Sequence, residues 1–99
     1  MRLTSEQIEK IRGVADAVLG PEARVTLFGS RVDDARRGGD IDLLFETDAR
    51  VEQRAEVICL LHARLLKALG DRRIDVLLRD ANTPPAAVFE VAHRTGVRL

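Results

Sequence analysis

Apolar and polar positions follow two different periods along this chain, and the switches between them mark its elements. Over residues 4–19, Ile8, Ile11, Ala15 and Val18 recur at helical spacing. Thr4-Ser5-Glu6-Gln7 fits a capping box, with Thr4 as N-cap and Gln7 at the third helical position, and Gly20-Pro21 stops the run. Arg24-Val25-Thr26-Leu27-Phe28 is short and β-branched and ends at Gly29, which predicts a strand. Ser30 to Gly39 is polar and charged. Ile41-Asp42-Leu43-Leu44-Phe45 then predicts a second strand, bounded by Gly38-Gly39 and Thr47-Asp48.

Residues 49–69 predict the longest helix. Val51, Ala55, Ile58, Leu61, Leu65 and Leu69 make one stripe, and Gly70 fits a C-cap. Val57, Leu60 and Leu66 widen that stripe beyond what one sheet face requires. Ile74-Asp75-Val76-Leu77-Leu78 predicts a third strand. Pro84-Pro85 opens a last helix, apolar at Ala87, Val88, Val91 and Ala92 and closing at Gly96. The order α-β-β-α-β-α predicts an α/β fold of the α+β kind. A small mixed sheet of about three to four strands packs against helices, in a single domain spanning 1–99.

At 99 residues the core is modest, since a chain this size buries roughly 60–65% of its unfolded surface. Sixteen acids balance sixteen bases, for a net charge of +0. That balance argues against a protein that holds duplex nucleic acid by neutralising phosphates. No apolar run approaches the ~18 residues of a membrane span, and the N-terminus has no signal-peptide core, so a cytoplasmic protein is expected. The one cysteine, Cys59, excludes an internal disulfide framework, and with only His62 and His93 no structural zinc site is expected. Cys59 reads as core, His62 as a flank residue of the long helix, and His93 as surface. Tyr and Trp are absent, which leaves no stacking platform for bases.

Three aspartates stand in or beside strands that otherwise call for apolar residues. Asp40 and Asp42 are two apart, so on an extended chain their carboxylates leave the same face, and Asp75 interrupts the third strand. Buried carboxylates without partners are costly, and three converging ones repel each other. Divalent cations would supply the missing positive charge, and hard oxygen donors favour Mg²⁺ or Mn²⁺. Taken singly, each has an ordinary reading: Asp40 as a loop-end cap, Asp42 paired with an arginine, Asp75 paired with Arg72 or Arg73. The neighbouring turn tips the balance. In Phe28-Gly29-Ser30-Arg31, directly after a strand, Gly29 lets backbone approach a ligand closely and Ser30 can cap a following helix, which suits phosphate. Arg31 is the nearest added phosphate contact, whereas Arg36 and Arg37 read as a solvated loop.

Gly29-Ser30, nine intervening residues and Asp40-Ile41-Asp42-Leu43, followed by the later-strand Asp75, resemble the signature of the DNA-polymerase-β-like nucleotidyltransferases. The length is similar to the minimal nucleotidyltransferases of that superfamily. Gly39 stands where the family commonly has Ser, and Asp34 where it often has a second Gly. The resemblance implies two-metal nucleotidyl transfer, with Asp40, Asp42 and Asp75 as catalytic metal ligands for two Mg²⁺ ions (or Mn²⁺). Gly29, Ser30, Arg31 and Gly39 would bind the nucleotide. It implies ATP as substrate and transfer of AMP to a hydroxyl acceptor. It further implies a helical HEPN-type partner, with the chain as antitoxin of a toxin–antitoxin pair. No acceptor domain is legible, so a partner protein is the expected acceptor. A homodimer, a complex with a helical protein, or both are expected, with the wide helix stripe and the last helix as docking surfaces. The alternatives are a non-catalytic antitoxin acting by complex formation, and a small-molecule adenylyltransferase.

Overall fold

A computed structural model describes residues 3–28, 41–70 and 72–99. Seven elements follow in chain order: α1 (Ser5–Leu19), β1 (Arg24–Phe28), β2 (Ile41–Glu46), α2 (Arg54–Leu69), β3 (Ile74–Arg79), α3 (Ala87–Thr95) and β4 (Val97–Arg98). The capping box at α1 forms as the sequence predicts. The Thr4 hydroxyl accepts from Gln7 N–H at 3.0 Å, and the Gln7 side chain accepts from Thr4 N–H at 2.9 Å.

The strands form one mixed sheet in the order β3-β2-β1-β4. β1 pairs antiparallel with β2 and β4, while β2 and β3 run parallel, with α2 as the crossover between them. On one face Val25, Leu27, Ile41, Leu43, Phe45, Ile74 and Leu78 pack against Ile11, Val14 and Ala15 of α1 and Leu61 and Leu65 of α2. This is the main core. On the other face Thr26 and Leu44 are buried beneath α3, whose Ala92 is fully covered. Gly96 closes that contact: a Cβ there would stand 2.6 Å from Thr26 Cγ2 and 2.7 Å from the Leu27 carbonyl, and would also meet the Ala92 carbonyl.

Three boundaries and burials differ from the sequence reading. The long helix starts at Arg54, not 49, because Gln53 takes a left-handed conformation (φ 56, ψ 53). The segment before it is held elsewhere: Val51 N–H donates to Asp80 Oδ2 at 2.7 Å, and Ala81 N–H to the Ala49 carbonyl at 3.1 Å. The last helix starts at Ala87, after the two prolines rather than at them. Cys59 is exposed, not core, since the helix turns its Leu61–Leu65 face inward. Val57 and Leu66 pack against the core, so most of the wide stripe is consumed within the fold, and Ala55 and Leu60 stay exposed.

Candidate functional site

The parallel register of β2 and β3 sets Asp42 directly beside Asp75, and the antiparallel register of β1 and β2 sets Phe28 on the other side of Asp42. Partners in a parallel pair project to the same face from strands about 4.8 Å apart. The two carboxylates therefore share one face at one end of the sheet, where β1 ends and β2 and β3 begin. Asp42 is half-buried and engaged in a polar interaction; Asp75 is exposed. Among the described residues Asp75 makes no ion pair, with Arg72 and Arg73 included, so the salt-bridge reading of it fails. Its exposure also corrects the premise that all these acids are costly buried charges. What sets the pair apart is like charge at the same register, not burial.

Asp40, Gly29, Ser30, Arg31 and Gly39, the other residues of the expected site, lie outside the described residues. Among the described residues no group of three or more His, Cys, Asp and Glu suits a metal ion. The described donor set is thus two carboxylates, hard oxygen ligands with no nitrogen or sulfur among them, and its chemistry fits a Mg²⁺-type cation.

The same face carries a second polar centre that the sequence reading missed. Two alternations along β2 from Asp42, past Leu44, stands Glu46, and its register partner on β3 is Arg79. Arg79 Nη1 donates to Glu46 Oε2 at 2.9 Å, and His93 Nε2 on α3 lies 2.9 Å from Glu46 Oε1. The Arg79 guanidinium carbon sits 6.0 Å from the Phe89 ring centroid. Beside them a cleft of about 390 Å³ is lined by Arg24, Glu46, Arg79, His93 and Arg98. The period-2 continuation of the Asp42 face was the available signal, since it places a charged residue under a helix.

A third centre lies where β3 ends. Asp80 is buried and accepts from Val51 N–H at 2.7 Å, Thr83 Oγ1 at 2.8 Å and Asn82 N–H at 3.1 Å, with Arg54 Nη1 at 3.4 Å. The Val51 bond, then the Thr83 bond, hold its carboxyl below the usual aspartate range; burial opposes them, and Asn82 and Arg54 add to the lowering. Arg54 also donates to the Leu78 carbonyl at 2.7 Å, so this cluster fixes the start of α2 to the end of β3. Asp80 followed three residues later by Thr83 was its legible signature, a side chain closing its own turn. A cleft of about 480 Å³ between α1, β1 and β4 touches neither Asp42 nor Asp75.

Fold and acid pair define a small α+β domain with two carboxylates side by side at one sheet end. Residues 8–95 match the family model of the nucleotidyltransferase domain, and the chain belongs to that family, a class of enzymes. Its fold matches a chain in the crystal structure of a mutant of the toxin–antitoxin MntA-HpeT. The TM-score is 0.67 at 21% identity, covering 99% of this chain and 72% of that one. No curated protein matches it in sequence. None of its described helices is long and apolar enough to cross a membrane.

Proposed function

We propose that this chain is a cytoplasmic, metal-dependent nucleotidyltransferase that moves AMP from ATP to a hydroxyl on a helical, HEPN-type partner protein, as the antitoxin of a toxin–antitoxin pair. The observation that carries the reading is the in-register pair of Asp42 and Asp75, with Asp75 exposed and making no ion pair among the described residues. Family membership and the fold match to a toxin–antitoxin structure support it. Asp42 and Asp75, with Asp40, would hold the divalent cations. When bound, these neutralise triphosphate charge and lower the pKa of the acceptor hydroxyl. Gly29, Ser30, Arg31 and Gly39 position the phosphates.

Asp75 is the acid of the pair open to an incoming acceptor, so it orients the hydroxyl and takes its proton. The hydroxyl oxygen attacks the α-phosphorus in line; the bond to the bridging oxygen of the β-phosphate breaks, and pyrophosphate leaves. Positioning and charge neutralisation make up most of such chemistry, which suits a sheet this small. The test is to incubate the chain with its partner, ATP and Mg²⁺ and weigh the partner by mass spectrometry. A gain of one AMP that disappears with Asp75→Asn is the expected result. A tight complex that inhibits the partner without any mass change, even with Mn²⁺, would establish the binding-only antitoxin instead.

A further inference from the structure

β3 lies at an edge of the described sheet, with no strand on its outer side. Two bonds fix which way its backbone points: Ile41 N–H donates to the Arg73 carbonyl at 2.9 Å, and Thr47 N–H to the Arg79 carbonyl at 3.1 Å. With Ile41 opposite Ile74, the backbone groups of Arg73, Asp75, Leu77 and Arg79 face β2, and those of Ile74, Val76 and Leu78 face outward. The outward Leu78 carbonyl is taken by Arg54. Among the described residues, the outward N–H and C=O groups of Ile74 and Val76 have no partner. β3 also lacks the lysine, proline or bulge that commonly guards an edge. These open groups flank Asp75 on either side.

We infer that the free edge of β3 seats the acceptor: an extended, hydroxyl-bearing segment of the partner protein adds there as a further strand. This rests on the proposed transferase reading, and it brings the acceptor hydroxyl beside Asp75. The face that Asp75 shares reads Asp75, Leu77, Arg79 along the strand. An added strand in register meets it best with a hydroxyl, an apolar and an acidic residue at alternate positions. A carboxylate opposite Asp75 would be repelled, whereas a hydroxyl donates to it. Arg79 can receive the acid: its side chain is 40% exposed, and one N–H goes to Glu46 while others remain.

The probe is a short fluorescein-labelled peptide of alternating Thr and Val with a central Tyr, Leu two positions on and Glu four positions on. An isomer of reversed order serves for the opposite strand direction. Anisotropy with the intact chain reads binding, independently of transfer. One peptide isomer should bind, and N-methylation of its alternate edge-facing amides should weaken binding at least about tenfold while leaving every side chain in place. Val76→Pro removes an outward N–H without touching the β2 ladder, so it should stay folded and show the same loss. If that variant does not fold, the N-methylated peptide decides alone. Equal binding of the N-methylated peptide overturns the inference, as does failure of both isomers to bind. Self-association that Val76→Pro abolishes also overturns it, because the edge would then belong to a second copy. AMP transfer to a partner that is insensitive to Val76→Pro leaves the transferase standing and removes the edge. Peptide binding that N-methylation abolishes, without any AMP transfer, does the reverse.

Discussion

The two ends of the β2–β3 face begin alike and finish differently. At each end an acid on β2 has a charged register partner on β3: Asp42 with Asp75, and Glu46 with Arg79. The ends stand about 13 Å apart along the strands. At the Glu46 end the chain supplies its own cation, Arg79, and α3 brings His93 down as a second polar partner. That centre is closed and serves to fasten α3 to the sheet. At the Asp42 end the partner across the strands is another acid, and Asp75 remains exposed. The same backbone register thus yields an ion pair where the charges are opposite, and two carboxylates side by side where they are alike.

The largest expected effect breaks the like-charged end. Asp42→Asn should lower nucleotidyl transfer at least about 100-fold and abolish Mg²⁺-dependent ATP affinity, by calorimetric titration. Unchanged Mg²⁺·ATP affinity would remove Asp42 from the site. Next in size is the roof over the closed end. Gly96→Ala places a Cβ against Thr26, Leu27 and Ala92 and should cost about 1–3 kcal/mol in denaturant unfolding. Gly13→Ala, in open space on α1, should instead stabilise by roughly 0.5–1 kcal/mol. Equal effects from the two would show that the α3 contact is loose.

This contrast also explains what the sequence could disclose. The element order, the capping box at Thr4 and the strands at Arg24–Phe28 and Ile74–Arg79 follow local rules: periodicity, cap chemistry and turn residues. Asp42 and Asp75 stood out because acids interrupt apolar strands. Glu46 did not, because its partners are a register neighbour 33 positions away and a residue of a helix beyond that. The start of α2 was misplaced for a similar reason. Val51 continues the apolar stripe, but a buried carboxylate from Asp80 captures its N–H and the chain turns left-handed at Gln53. Exposure of Cys59 followed from which helix face the core used, a tertiary choice.

Breaking the closed end should leave the chemistry untouched. Glu46→Gln keeps the shape but removes the charge that Arg79 and His93 share, and should cost about 1–2 kcal/mol. The value is modest because both partner side chains are 40% or more exposed and can turn to water. Mg²⁺-dependent ATP affinity should not change. Loss of that affinity in a folded variant would mean that the two ends are coupled and the division between them is wrong.

The smallest expected effect is one of slope, and it concerns the acid that neither end uses. The donors around Asp80 hold its carboxyl below the usual aspartate value, so the unfolded chain takes up the proton at higher pH than the folded one. The stability this contributes is complete above the ordinary value and is lost as pH falls through the folded one. The thermal stability of the wild type should therefore fall as the pH drops through and below the usual aspartate range, while Asp80→Asn, which has no such proton to bind, should show a flatter acid limb. The gap in melting temperature between the two should be widest near neutrality and close as the pH drops. A gap that stays constant into acid would show that Asp80 acts through its hydrogen-bond shape alone, and that its charge does not help hold the start of α2 to the end of β3.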